Sequence, residues 1–220
     1  GFTIIYNASD VVNFAQGEFV IIGAMSAVTF STAGVPLILS IIMAMIVTVF
    51  VGFALNQFAI KPAKGASVVT TIIITIGASI FLRGAALLIW GKDFYSLPAF
   101  SGEQPIHIGN ATILPQNLWV MAMTIVLVSA VLLFFKYTLL GKAVLACSCN
   151  RTAAQLVGIN VGKMMLLSYG ISAMLGALAG VLIVPITFSS YDAGIMLGLK
   201  GFSAAILGGI GNPVGAVVGG

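Results

Sequence analysis

The sequence predicts an all-α polytopic membrane protein, and three observations carry that prediction. Charged residues make up 6% of the chain and hydrophobic residues 60%, whereas a soluble domain carries about 25% charged residues. Mean hydropathy is +1.18. The apolar residues also fall in long runs, and a helical span needs about 20 of them. A chain of 220 residues has no core large enough to hide this much apolar surface from water, which excludes a soluble globule. The net charge of +4 does not point to nucleic acid. The cations lie in connections between apolar runs, where they report topology.

The elements follow in order. The chain begins in GFTIIYN, which reads as the tail of a span, and stops inside the glycine-rich run AVVGG. A single transmembrane domain over 1–220, cut from a longer protein, is therefore expected. Residues 19–33 are short for a span, and VVNFAQG just upstream is expected to complete it. Residues 36–60, 66–90, 117–135 and 164–186 meet the length requirement, and 197–220 begins a further segment. The expectation is about five spans with a partial span at each end.

Orientation follows from Lys and Arg in the short connections. Lys61 and Lys64 flank Pro62 between two spans, and Lys136, Lys142, Arg151 and Lys163 come two spans later. These six of the nine basic residues fall on one side by parity, which makes 136–163 a cytoplasmic loop. The intervening loop, 91–116, holds Lys92, Asp93, Glu103 and His107 and is expected outside the cell membrane. Trp90 and Trp119 bracket it, as interfacial tryptophans do. Arg83 is in the last third of its span and is read as an anchor that snorkels outward.

Cys147 and Cys149 are too close for an easy disulfide. The one histidine, His107, is far from them in sequence, so no metal quartet is available. Pairs of glycines four apart, Gly176 with Gly180 and Gly211 with Gly215 and Gly219, suit close helix packing in lipid.

Three segments interrupt the apolar pattern. The first, Tyr6 to Phe19, carries Asn7, Asp10, Asn13, Gln16 and Glu18. Polar groups at membrane depth are costly and mark function, and broken helices are tolerated where they line a cavity. A plain cytoplasmic connector is the equal alternative. Asn13, Gln16, Gly17 and Glu18, with Thr75, are the candidates here for a solute path. The second is the basic loop. Thr152 with Gln155 fits a capping box and Asn150 competes as the cap, while Gly158 supplies a stop. A short surface helix results, with Ala153 and Ala154 as a small face and Leu156 and Val157 as an apolar one, fit for a groove in a soluble partner. The third is the run from Gly194 to Gly220. Lys200 either snorkels from a helix end or lines a path, with Phe202 beside it, and Gly211, Asn212 and Pro213 break the helix.

No Gly-x4-Gly-Lys-Ser/Thr phosphate loop is present in the sequence, nor an arrangement for hydrolytic or metal chemistry. Enzyme activity has no support, and neither ATP nor a metal cofactor is expected on this chain.

These segments resemble the permeases of the branched-chain amino-acid ABC importer family. VVNFAQGEFVIIGA (Val11 to Ala24) is similar to the family's N-terminal signature, which usually has His where Gln16 stands here. TIGASIFLRGAALLIWG (Thr75 to Gly91) resembles the span that marks its H-type subunit. GKAVLACSCNRTAAQLVGIN (Gly141 to Asn160) resembles the loop that contacts the ATPase, and GLKGFSAAILGGIGNPVGAVVGG (Gly198 to Gly220) the C-terminal signature. Importer permeases more widely carry Glu-Ala-Ala followed by a glycine. Thr152 stands at the glutamate position and Gly158 keeps the glycine. The resemblance implies an inner-membrane permease with a second permease subunit, two ATP-binding subunits that carry ATP and Mg, and a periplasmic substrate-binding protein. It places Gly141, Asn150, Arg151, Thr152, Ala153, Ala154, Gln155, Gly158 and Asn160 at the ATPase contact. The implied solute is a branched-chain amino acid, or urea or a short amide. An ion-coupled secondary transporter and a membrane scaffold are the competing classes.

Overall fold

The computed structural model describes residues 1–63, 65–102, 104–108 and 111–220. Lys64 and Glu103, which the sequence assigns to opposite loops, fall outside the described residues, as does the side chain of His107.

Four helices are long and apolar enough to cross a membrane. They are α3 (Leu37–Ala54) with its continuation to Ile60, α4 (Val68–Trp90), α5 (Pro115–Tyr137) and α8 (Val161–Thr187). They match the four long apolar runs, and their ends have local causes. The Ser67 hydroxyl accepts from the Thr70 amide at 3.1 Å to start α4, and Gly91 at φ 75° ends it. Asn160 accepts from the Lys163 amide at 3.0 Å to start α8. The last turn of α3 widens into a π-helix, Leu55–Ile60, a geometry that collects at functional sites.

The remaining helices are shorter. They are α1 (Phe2–Ser9), α2 (Gln16–Thr32), α6 (Leu139–Cys149), α7 (Arg151–Leu156), α9 (Ala193–Leu207) and α10 (Pro213–Val218). At 17 residues, α2 reaches about 25 Å, short of a hydrocarbon core about 30 Å thick. The expectation that VVNFAQG completes this span holds, but residues 11–15 do so as non-helical chain. After α9 the chain turns through Gly209 and Gly211, both at positive φ. The Asn212 side chain then caps α10, accepting from the Val214 amide at 3.0 Å, so the expected break there is a turn.

The centre of the fold is α8. Gly176 and Gly180 bring it against α2, where a Cβ at Gly176 would come within 2.8 Å of the Phe19 Cβ and one at Gly180 would strike the Val20 backbone. Gly52 of α3 meets Ala173 in the same way, at 2.7 Å. Close approach compensates for the missing hydrophobic drive between helices in lipid. One apolar cluster gathers Phe19, Leu55, Ile60, Tyr169 and Ala173, and another Ala24, Val28, Ala44, Val181 and Val184. Toward the rim, α5 and α4 are mostly exposed.

The fold is all-α in its membrane part, and the loop 91–116 adds a two-stranded antiparallel ladder of three residues each, β1 (Ile106–Ile108) with β2 (Ala111–Ile113). Two β-branched stretches around Gly109-Asn110 in sequence are the hairpin signal that accounts for it. Tyr95 and Ser189 also exchange backbone hydrogen bonds at 2.8 and 2.7 Å, tying this loop to the end of α8. Trp90 donates to the Thr29 hydroxyl at 2.7 Å on the same end. At the opposite end Lys61, Arg151 and Lys163 line one cavity with Asp10. The loop parity read from the sequence therefore has a spatial counterpart, a basic end and a tryptophan end.

Candidate functional site

The first candidate region is a break in the chain. After α1, Asp10 adopts φ 55° and the backbone leaves the helix. The Asn13 side chain holds the turn, accepting from the Ala15 amide at 3.1 Å, and the Phe14 amide donates to the Thr75 hydroxyl at 3.3 Å. α2 then starts at Gln16, whose side chain is fixed on α8. Its Nε2 donates to the Ser172 carbonyl at 3.3 Å and its Oε1 accepts from the Ser172 hydroxyl at 2.5 Å. Ser172 is the twelfth residue of α8, about 16 Å along it at 1.5 Å per residue. The break therefore lies at membrane depth. Of the two readings of Tyr6 to Phe19, the broken helix stands and the plain connector does not.

A second break mirrors the first. α8 ends at Thr187, Phe188 adopts φ 56°, and α9 starts at Ala193. Asp10 and Phe188 are the only non-glycine residues at positive φ among the described residues. Each closes a helix and leads through a short non-helical stretch into a glycine-bearing first turn. Those first turns meet. A Cβ at Gly194 would come within 2.9 Å of the Gly17 carbonyl oxygen, and one at Gly198 within 3.4 Å of the Gly17 Cα. Helix starts carry unpaired amides and partial positive charge. Discontinuous helices whose ends converge in the membrane are the architecture of many transporter sites.

Beside this junction is Glu18, only 2% exposed. Its Oε1 accepts from the Ser79 hydroxyl at 2.9 Å and from Arg83 Nη2 at 3.4 Å, while Oε2 faces the first turn of α9 at Gly194. Arg83 also donates to Ser79 at 3.3 Å. The expected snorkelling of Arg83 is corrected here. Its guanidinium turns inward because a carboxylate removed from water needs a cation and donors around it.

At the basic end, α7 is a helix of six residues. Asn150 caps it, its Oδ1 accepting from the Ala153 amide at 2.9 Å. The capping box at Thr152 is not formed, because Asn150 holds the extended conformation and Thr152 is already inside the helix. Gly158 ends it at φ 87°, its amide donating to the Gln155 carbonyl at 3.0 Å, with Ile159 donating to Ala154 at 2.9 Å. That pair of bonds is a Schellman stop, which a left-handed glycine makes possible. Leu156 is 84% and Val157 76% exposed, whereas Ala154 is buried and packs with Cys147 and Val161. Burial pushes the Cys147 thiol up from its ordinary value, against the pull of the nearby Arg151.

The whole chain, residues 1–220, matches the family model described as branched-chain amino acid transport system / permease component. The chain belongs to this permease family. It is 31% identical over 235 residues to the high-affinity branched-chain amino acid transport system permease protein LivH of Escherichia coli, covering all of this chain and 76% of that protein. It is 30% identical over 236 residues to BraD of Pseudomonas aeruginosa, described in the same words, again with all of this chain and 76% of the relative. The ribose import permease protein RbsC of Haemophilus influenzae is 27% identical over 195 residues, spanning 86% of this chain and 59% of its own. No solved structure matches. The permease is thus a multi-pass membrane protein and one component of a transport system.

Most of the path candidates come together in the permease. Asn13, Gln16, Gly17, Glu18 and Thr75 surround the two helix starts, and all but Gly17 are buried polar groups. Phe202 joins their edge, its ring 5.2 Å from that of Phe14. Lys200 does not join them. It is exposed, on the side of α9 away from Gly194 and Gly198. Of the loop candidates, Thr152, Ala153, Gln155, Gly158 and Asn160 lie on the surface of the basic end. Ala154 points inward, and Gly141 is a packing position where a Cβ would strike Phe134 and come within 2.7 Å of the Phe135 Cα. Arg151 also turns inward, donating to the Ala8 carbonyl at 3.4 Å and lying 3.5 Å from the Asp10 carboxylate. Sequence reasoning passes over Ser79, Ser172 and Gly194. For Ser79 a signal exists, because Thr75, Ser79 and Arg83 recur every four residues and share one helix face.

Proposed function

We propose that this permease forms half of the solute path of an ATP-driven importer in the inner membrane, carrying a branched-chain amino acid or a related small solute. A second permease subunit supplies the other half, two separate ATP-binding subunits bring ATP and Mg, and a periplasmic protein delivers the solute. The observation that carries this reading is the position of α7. It offers an exposed Leu156–Val157 knob on one side, and on the other its first residue, Arg151, grips the end of α1. A push on α7 by a soluble partner is passed through α1 to the break at Asp10, and from there to the junction of Gly17 with Gly194.

The basic end faces the cytoplasm in this reading, as the excess of Lys and Arg in the short connections requires. Gln16 and Glu18 are held by α8 and α4, so they fix the geometry of the break, whereas the buried Asn13 Nδ2 has no partner. The names of the relatives support a branched-chain amino acid as the solute.

The deciding experiment is co-purification of the permease with its ATP-binding subunits, for wild type and Leu156→Asp. The variant is expected to insert normally, lose the ATP-binding subunits and lose solute uptake. Normal ATP-driven uptake by Leu156→Asp would overturn the reading. So would uptake by the permease alone in proteoliposomes driven by an ion gradient. Uptake assays with labelled leucine, urea and a short amide then identify the solute.

A further inference from the structure

The cavity at the basic end is separate from the junction of Gly17 with Gly194, whose residues do not line it. It has a volume of about 590 Å³ and is walled by the π-helical turn, the start of α4, the break after α1, α7 and the first turn of α8. Among the described residues, its charged lining is Lys61, Arg151 and Lys163 against Asp10, three cations to one anion. Val161 and Gly162, in the first turn of α8, also line it, and the start of a 27-residue helix presents free amides and partial positive charge. Arg151 uses Nη2 on Ala8 and Asp10, while its Nε is buried without a partner. A net-positive cavity suits an oxyanion, and the planar fork of arginine suits phosphate.

The rest of the lining says which phosphate. Ile60, Val68, Met165 and Leu166 give the cavity an apolar wall. That wall continues at Val68 into the exposed apolar side of α4, through Val69 and Ile73. A soluble phosphate compound has no use for an apolar margin open to the membrane side, whereas a lipid does. We propose that this cavity binds the headgroup phosphate of an anionic phospholipid, with Lys61, Lys163 and the start of α8 around the phosphate and the acyl chains leaving along α4. This rests on the proposed orientation only in that the basic end meets an anionic leaflet. Since the phosphate shares Arg151 with Ala8 and Asp10, lipid occupancy and the link between α7 and α1 are coupled.

The test is lipid retention by the full chain, measured by native mass spectrometry after extraction from nanodiscs of mixed phosphatidylglycerol and phosphatidylcholine. Wild type is expected to retain phosphatidylglycerol selectively. The double variant Lys61→Gln/Lys163→Gln should lose about thirtyfold of that preference, from the usual worth of a basic residue at an anionic surface. Lys61→Arg/Lys163→Arg should keep it, and Lys92→Gln at the other end should leave it unchanged. Equal retention of the two lipids by wild type overturns the proposal, as does an unchanged preference in the Gln variant. Displacement of phosphatidylglycerol by millimolar inorganic phosphate also overturns it, by showing a site for free phosphate. No uptake or ATPase measurement enters, so the outcome is independent of the transport reading.

Discussion

Arg151 reaches from the first turn of α7 to the carbonyl of Ala8 at 3.4 Å, and its guanidinium also lies 3.5 Å from the carboxylate of Asp10. Among the described residues, the side-chain bridge between the surface helix and the membrane break is thus a half-exposed cation on a helix end. Such a pair contributes about 0–1 kcal/mol to stability. Arg151→Gln should therefore leave the unfolding temperature nearly unchanged while cutting coupled uptake several-fold. Parallel loss of stability and uptake would mean that Arg151 only holds the fold.

The buried trio of Glu18, Ser79 and Arg83 makes a different prediction. Removing one member of a buried ion pair costs about 3–5 kcal/mol, because the other is left without compensation. Glu18→Ala and Arg83→Ala should each destabilise by about 3 kcal/mol, the low end of that range, since Arg83 retains some solvent contact. The double variant should cost less than the sum. Denaturant unfolding in detergent, run as a double-mutant cycle, measures the difference, and additivity would show that the pair does not interact.

At the junction of α2 and α9 the backbones approach with no room for a side chain. Gly17→Val and Gly194→Val should each lower stability by at least about 3 kcal/mol, the upper end of overpacking costs. Reduced folded yield on size-exclusion chromatography is the expected sign. Gly77→Val, on an open face of α4, serves as the tolerant control.

Gly158 separates conformation from space. A Cβ there meets nothing within 4 Å, but φ is 87°. Gly158→Ala should cost about 1–2 kcal/mol of local strain and weaken coupling mildly. Gly158→Pro also removes the amide that closes α7 on Gln155. It should abolish stimulation of the ATPase by solute while the spans still insert, and transport at the normal rate would refute the role given to this turn.

The cysteines test orientation. Cys149 is exposed and Cys147 buried at the basic end. Burial raises the Cys147 thiol above its ordinary value, so less of it is thiolate at neutral pH. A membrane-impermeant maleimide should label Cys149 in inside-out vesicles, spare it in intact cells, and leave Cys147 unlabelled in both. Labelling of Cys149 from outside would reverse the assigned topology.

The long helices were legible because length and hydropathy alone define a membrane span, and Gly158 because a positive φ leaves glycine little competition. The break at Asp10 to Ala15 showed only as polar residues in an apolar setting. Whether these line a break or a connector depends on their depth, which is set by Ser172, 156 residues away. Arg83 illustrates the same limit. An arginine near a span end looks alike whether it snorkels or pairs, and the carboxylate that decides is 65 residues upstream. At α7 two caps compete within three residues. The backbone at Asn150 (φ −160°, ψ 106°) decides between them, and composition carries no record of it.

Along the 23 residues of α5, only Gln116 and Phe135 are buried. Gln116 hangs the helix from the Leu182 carbonyl at 3.0 Å, and Phe135 seats the other end among Ile4, Ala8 and Val144. Between those two points, drift in sequence is cheap as long as each replacement stays apolar. Relatives of this permease should therefore diverge most freely over 117–134 while keeping its length, and a random library confined to that stretch should return many functional clones, almost all of them differing from the parent.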